Sequence, residues 1–85
     1  MRISEIIRLI LEAYVNDLTL SVTYTNAQGE SNDFDICNIT INTEFGSQCI
    51  DKNGYIDAFC LNQNDIDISE EKTFKISRFD YIELL

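Results

Sequence analysis

The sequence predicts a mainly β domain of the α+β class, in which an N-terminal amphipathic helix precedes a small five-stranded antiparallel barrel. Apolar residues recur at helical spacing over about residues 3–15. From residue 18 onwards they alternate with polar residues at the spacing of two that is typical of strands. The length of 85 residues suits one domain with one modest core, which we place at residues 1–85, with the barrel over about 18–85.

The predicted helix has one apolar stripe along its length. Ser4 suits an N-cap or first-turn position, and Glu5 lies near the positive end of the helix dipole. Asn16 and Asp17 end the pattern. A helix of about 12–13 residues is marginally stable alone, so its stripe must be buried against the rest of the chain. The stripe is formed by Ile3, Ile6, Ile7, Ile10, Leu11 and Tyr14.

A predicted hairpin follows the helix. Apolar residues at every second position from Leu18 to Tyr24 indicate the first strand, and residues 26–29 supply a tight turn whose Gly29 suits a left-handed conformation. The return strand carries its apolar residues on one parity up to Ile36 and on the other from Ile39. This change of phase predicts a bulge or a break near residues 37–38.

The remaining segments alternate between turns and strands. Turns are expected at residues 45–47 and 51–54, with a short strand or loop between them. Residues 55–61 are apolar on both faces apart from Asp57, which is typical of a central strand. The acidic stretch 62–71 is expected to be a loop, and a single helical turn over residues 77–80 is expected to precede the last strand.

The composition excludes several classes of function. Fifteen acidic residues face six basic ones, and the net charge of −9 opposes unspecific binding to nucleic acid or to an anionic membrane. The apolar runs are too short for a membrane span. The chain has no histidine, which removes the usual general base and the commonest metal ligand. No nucleophile–base pair and no cofactor motif is visible, so we expect no enzymatic activity, no catalytic residues and no cofactor.

Three cysteines are present, at Cys37, Cys49 and Cys60. Their spacing matches no close pair of metal ligands, and a tetrahedral zinc site would need a fourth ligand from a carboxylate or a partner. We therefore expect reduced, partly buried thiols, no metal site and a cytoplasmic location. The first residues also lack the apolar core and cleavage site of a secretory signal.

Three stretches resemble the WYL domain, an Sm/SH3-like β-barrel module found mostly in bacterial regulators. Residues 22–30, VTYTNAQGE, are similar to the opening hairpin of the family. Residues 54–60, GYIDAFC, resemble the strand that names it. Residues 72–79, KTFKISRF, are close to its Arg-x-Phe-Arg-Leu-Asp-Arg-Ile signature, which is the most specific of the three motifs.

The chain departs from this pattern in several places. Gly54 and Ile56 stand where the family has the tryptophan and the leucine of the naming triplet, and Lys72 and Lys75 replace two of the three signature arginines. Residues 34–38 lack the arginine and the proline of the corresponding family stretch. We expect a degenerate, stand-alone form without the helix-turn-helix domain that often precedes the module.

The resemblance implies a regulatory role, such as transcription regulation, through binding of nucleic acid or nucleotide-like ligands. Carried over by position, the ligand-binding residues are Tyr55, Lys72, Phe74, Lys75 and Arg78. Strand alternation places Lys72 and Arg78 on one face and Lys75 on the other. The three cations therefore do not form one stripe unless the turn near Ser77 redirects Arg78. The alternative is that neighbouring carboxylates pair with these cations: Glu70 and Glu71 with Lys72, and Asp80 with Arg78.

Acidic pairs and aromatic residues offer further candidates. Residues 51–54 resemble the start of a calcium loop but lack the spacing of an EF-hand, and a turn is the better interpretation. Asp33/Asp35 and Asp65/Asp67 are expected to form a solvated acidic face. The aromatic residues, which could stack on bases, must supply at least half of their number to the core: Tyr24, Tyr55, Tyr81, Phe45, Phe59, Phe74 and Phe79.

Two functions follow from the sequence. The first is a non-enzymatic WYL-like module that binds a protein partner, a nucleotide-like ligand or single-stranded nucleic acid. The second is an acidic interaction or inhibitor domain, which would imitate nucleic acid on a basic protein surface. No membrane partner is expected, and a homodimer is one way for so small a domain to bury more apolar surface.

Overall fold

The computed structural model describes residues 1–42, 50–61 and 68–85. Helix α1 (Ile3–Asn16) comes first. Five strands follow in the described residues: β1 (Leu20–Thr25), β2 (Ser31–Asn42), β3 (Tyr55–Leu61), β4 (Ile68–Lys75) and β5 (Phe79–Leu84). A short 3₁₀ turn (Ile76–Arg78) joins β4 to β5. The strands form one antiparallel sheet in the order β4-β3-β2-β1-β5, which confirms the predicted helix-plus-barrel class.

The sheet curls until its distant strands meet through their side chains. Tyr24 of β1 packs edge-on against Phe74 of β4, with ring centroids 4.9 Å apart, although β2 and β3 lie between these strands in the sheet. Its ring also contacts Phe79 of β5 at 5.1 Å. The Tyr24 hydroxyl accepts a hydrogen bond from the backbone N–H of Lys75 at 2.8 Å. One tyrosine therefore links three strands across the interior.

The bulge predicted from the change of phase is present in β2. The register with β3 shifts between Cys37 and Thr40, and Asn38 adopts a positive φ of 52°. Asparagine tolerates the left-handed region better than most residues. The extra residue lets Ile36 and Ile39 both be buried although they differ in parity.

Both predicted turns that lie in the described residues are confirmed. In the β1–β2 turn Gly29 has φ 83°, and its N–H donates to the carbonyl of Asn26 at 3.0 Å. In the second turn the N–H of Gly54 donates to the carbonyl of Asp51 at 3.0 Å. The expected turn at residues 45–47 and the short segment at 48–50 fall on residues of which all but Ile50 lie outside the described ranges.

The helix buries a stripe different from the predicted one. Of the predicted residues Ile6 and Ile10 are buried and Ile7 is partly buried, whereas Ile3, Leu11 and Tyr14 are exposed. Leu9 and Ala13, which were not predicted, complete the buried stripe. The error arises because α1 is apolar around more than half of its circumference, so periodicity alone could not locate the buried side. The helix packs on β5, β2 and the 3₁₀ turn, and completes the core on that side of the sheet.

Two other expectations need correction. Residues 68–71 were expected within a loop, but they begin β4 and pair with the end of β3. Their polar sequence is typical of a loop, but β4 is an edge strand of the sheet. An edge strand tolerates charged side chains that point outward into solvent, as that of Glu71 does. The expected helical turn at 77–80 is the 3₁₀ turn at Ile76–Arg78.

Candidate functional site

A pocket lies at the end of the barrel where the β1–β2 turn faces β4. Its volume is about 200 Å³. Three strands and one turn contribute side chains to it, and the register places Asn32 and Phe34 of β2 opposite Tyr24 and Val22 of β1. The lining residues are Tyr24, Asn26, Glu30, Asn32, Phe34, Lys72, Thr73 and Phe74.

Aromatic rings form the apolar part of this pocket. Phe74 is only 2% exposed and serves chiefly as core, with Tyr24 and Phe34 packed edge-on against it at 4.9 and 5.7 Å. Phe34 is half-buried. These contacts hold the rings in fixed orientations, so a flat ligand would find a preorganised apolar surface.

Lys72 supplies the cation of the pocket. It lies opposite Ala58 in the β3–β4 register and therefore on the inner face of the sheet. Its Nζ lies 5.1 Å from the centroid of the Phe34 ring, within the range of a cation–π interaction. The same Nζ forms an ion pair with Glu70 at 3.3 Å, so the expected pairing of Lys72 with a neighbouring glutamate is present.

The β1–β2 turn forms a rigid rim on the other side. The Asn26 side-chain oxygen accepts hydrogen bonds from the N–H groups of Gln28 and Glu30, each at 3.0 Å, which fixes the turn. The side chains of Glu30 and Asn32 make no hydrogen bond to any described residue. They are therefore available to a ligand at the rim of the pocket.

Two of the predicted ligand-binding residues lie on the opposite face of the sheet. Tyr55 and Lys75 are directly opposed in the β3–β4 register, outside the barrel. The Nζ of Lys75 lies 5.9 Å from the centroid of the Tyr55 ring. Lys72 and Phe74 therefore share the pocket, whereas Tyr55 and Lys75 form a separate pair outside it.

Arg78, the fifth predicted residue, ends the 3₁₀ turn and is half-buried. The expected ion pair with Asp80 is not formed. Instead the Asp80 carboxylate accepts a hydrogen bond from the hydroxyl of Thr25. The three cations of residues 72–78 therefore do not form one patch. Lys72 and Lys75 lie on opposite faces of β4, and Arg78 lies beyond this strand, at the end of the 3₁₀ turn.

Sequence reasoning missed the residues that complete the pocket. The sequence places Phe34 only within the return strand, and no motif marks Glu30 or Asn32 as a site residue. The alternation of Phe34 with Ile36 did indicate an inward side chain. The sequence does not predict how far the sheet curls, and this curl brings the start of β2 next to Lys72 of β4.

The outer face of β2, β1 and β5 is acidic. Asp35 and Glu83 flank Ser21 in the register, and Asp33 accepts a hydrogen bond from the hydroxyl of Thr23 at 2.7 Å. The Asp80 carboxylate lies on the same face, where it accepts a hydrogen bond from the Thr25 hydroxyl. These four carboxylates form the acidic sheet face, and the strands contribute no cation to it in the described residues.

The described cysteines are poor nucleophiles. Burial raises the pKa of the Cys60 thiol, Lys72 opposes this, and Glu70 and Cys37 add to the rise. Burial and then Asp17 raise the pKa of the Cys37 thiol. Both thiols are therefore protonated at neutral pH. Within residues 1–42, 50–61 and 68–85, no group of three cysteine and carboxylate side chains is placed to hold a metal ion.

Comparison with protein-family models, with curated proteins and with solved structures finds no match in any of the three. The WYL resemblance therefore stays a prediction. No helix within the described part of the chain is both long and apolar enough to cross a membrane.

Proposed function

We propose that the protein is a non-enzymatic binding module whose pocket holds one planar, polar ring of a nucleotide-like ligand or of single-stranded nucleic acid. The observation that carries this proposal is the position of Phe34, whose ring packs edge-on against Phe74 and lies under the Lys72 ammonium group at the pocket. Aromatic side chains that stack on bases are the common means by which proteins hold single-stranded nucleic acid.

The size of the pocket favours a ring over a whole nucleotide. Sites that enclose a drug-sized ligand usually span roughly 300–1,000 Å³. The pocket has about 200 Å³, which suits a single base with its sugar and phosphate outside. A module of this kind would hold one base of a longer strand or of a small signalling nucleotide.

The charges favour the ring over the phosphate as the group that enters. Lys72 is already paired with Glu70, and the Glu30 carboxylate lies at the rim, so the site carries more negative than positive charge. A phosphate would be repelled from the pocket itself and would stay in solvent, outside the site. A ring edge with N–H donors would instead meet the Glu30 carboxylate, while the Asn32 amide offers both a donor and an acceptor.

Binding of nucleosides and short single-stranded oligonucleotides, followed by ¹H–¹⁵N NMR, tests this proposal. Phe34→Leu keeps an apolar side chain but removes the stacking surface, worth about 1–3 kcal/mol per base, so binding should weaken by roughly 5- to 150-fold. Lys72→Ala should also weaken binding. Lys75→Ala is the matched control, because Lys75 lies on the same strand and over an aromatic ring, but outside the barrel.

The proposal predicts that a nucleoside and its monophosphate bind within a few-fold of each other, with weak dependence on salt. It fails if no base binds at millimolar concentration. It also fails if Lys75→Ala reduces binding as much as Lys72→Ala.

A second function is favoured by the acidic sheet face. Its four carboxylates would meet a basic protein surface, where charge complementarity accelerates association. Binding to polylysine that falls steeply with salt and is reduced by Asp33→Asn with Glu83→Gln, but not by Phe34→Leu, would support this alternative and count against the pocket.

A further inference from the structure

We propose that the exposed apolar face of α1 is an interface with a second copy of this chain. This face, termed the outer helix face, lies beside the stripe that packs on the sheet. Val15 is 76% exposed and Leu11 44% exposed, which is unusual for large apolar side chains of one short helix. The outer helix face comprises Ile3, Ile7, Leu11, Tyr14 and Val15, of which Ile7 is partly buried.

The spacing of these residues is self-complementary. Ile3, Ile7, Leu11 and Val15 follow one another at intervals of four and are symmetric about Leu9. If two copies of α1 pack antiparallel around a twofold axis at that level, Ile3 meets Val15 of the partner subunit and Ile7 meets Leu11 of the partner subunit. Such an isologous contact closes as a dimer.

The charges beside the face are also self-complementary. Arg8 and Glu12 lie on its solvent side and form an exposed i,i+4 ion pair, with Nη1 and Oε2 3.9 Å apart. In the antiparallel arrangement Arg8 of one copy lies opposite position 10 of the other, midway between the arginine and the glutamate of that copy, so each arginine can reach the glutamate of the other copy. The pair can therefore exchange partners between copies without leaving a charge unpaired.

The distribution of net charge points to a second copy at this face. Residues 1–17 contain two basic and three acidic residues, so they contribute only −1 to the net charge of −9. The remainder of the chain carries −8. Two copies therefore repel each other least when they approach through α1, whereas an anionic membrane would be repelled by the whole molecule.

Sedimentation equilibrium from about 10 μM to about 1 mM tests the interface, since a contact of one helix pair is small and its dimer correspondingly weak. We expect the average mass of the wild-type protein to rise towards that of a dimer. Leu11→Gln with Val15→Gln should weaken association at least tenfold, because glutamine keeps the helix propensity and removes apolar contacts. Tyr81→Gln is the matched control, because Tyr81 is 50% exposed on the outer face of the sheet.

A charge swap separates a dimer from a merely structural role of α1. Arg8→Glu alone should weaken association, because it places glutamates of the two copies near each other, and Arg8→Glu with Glu12→Arg should restore it. Circular dichroism verifies that each variant keeps its helix. A wild-type protein that stays monomeric at about 1 mM would overturn the proposal, as would association that Leu11→Gln with Val15→Gln leaves unchanged.

Discussion

At the scale of single residues, Tyr24 joins strands that are not neighbours in the sheet. Its ring packs against Phe74 and Phe79, and its hydroxyl accepts the backbone N–H of Lys75. The residue therefore supplies both apolar contact and a hydrogen-bond acceptor where β1, β4 and β5 meet. The same ring lines the pocket, so closure and the candidate site share a residue.

Tyr24→Phe separates these two contributions. The ring contacts remain, but the partly buried N–H of Lys75 loses its acceptor, which costs about 1–3 kcal/mol of unfolding free energy. Urea denaturation measures the loss. Tyr81→Phe is the control, because Tyr81 is exposed and its hydroxyl makes only a 3.3 Å contact with Glu83, so a change within about 0.5 kcal/mol is expected. Equal losses in the two variants would contradict the role assigned to the Tyr24 hydroxyl.

Single residues also show how far the sequence could predict local structure. The change of phase between Ile36 and Ile39 was enough to place the bulge, and Gly29 was enough to predict its left-handed turn. Both are local features, since they depend on the spacing and conformational freedom of neighbouring residues. The contacts of Tyr24 were beyond prediction because its partners lie about 50 residues further along the chain.

At the scale of elements, α1 shows that hydrophobic periodicity can predict a helix without identifying which of its sides is buried. The helix presents apolar side chains on two adjacent sides, and only the sheet decides which of them is buried. Ile10 is fully buried, whereas its neighbour Leu11 is 44% exposed. The sequence predicted the helix within a residue of its observed end, but it placed Ile3, Leu11 and Tyr14 on the buried side.

Alanine substitutions at these two neighbouring positions test the assignment of the buried side. Ile10→Ala leaves a cavity under the helix and should cost about 2–5 kcal/mol of unfolding free energy. Leu11→Ala should cost less than about 1 kcal/mol, because its side chain is largely solvated and alanine favours the helix. Urea denaturation at low protein concentration keeps the molecule monomeric for both measurements. A larger loss at Leu11 would place the buried stripe where the sequence alone had suggested it.

At the scale of the whole molecule, the sequence predicted the class of fold better than the site. Strand alternation, turn residues and helical periodicity are each visible in a short stretch of sequence. Together they were enough to predict one helix and a five-stranded antiparallel sheet. The pocket depends on the curl of that sheet, which brings Phe34 to Lys72 across 38 positions of sequence. The resemblance placed Lys72 and Lys75 in one ligand site, whereas strand alternation predicted them on opposite faces, and the β3–β4 register confirms the alternation.

The net charge of −9 makes a prediction about the stability of the whole molecule. The described residues hold only two ion pairs, Arg8–Glu12 and Lys72–Glu70, and all four side chains are at least 41% exposed, so each pair contributes little. Repulsion among the excess carboxylates is spread over the surface and opposes the compact state. Added salt screens both effects, and we expect the loss of repulsion to outweigh the loss of the two pairs.

We therefore expect the unfolding free energy to rise, by on the order of 1 kcal/mol, when sodium chloride is raised from about 10 mM to about 0.5 M, because the Debye length falls from roughly 30 Å to below 8 Å. Thermal denaturation at neutral pH measures the change. Asp33→Asn with Glu83→Gln removes two carboxylates from the acidic sheet face, and this variant should begin more stable and gain less from salt. Destabilisation of the wild-type protein by the same salt would mean that its few attractive pairs, and not the surplus of acidic side chains, dominate its electrostatics.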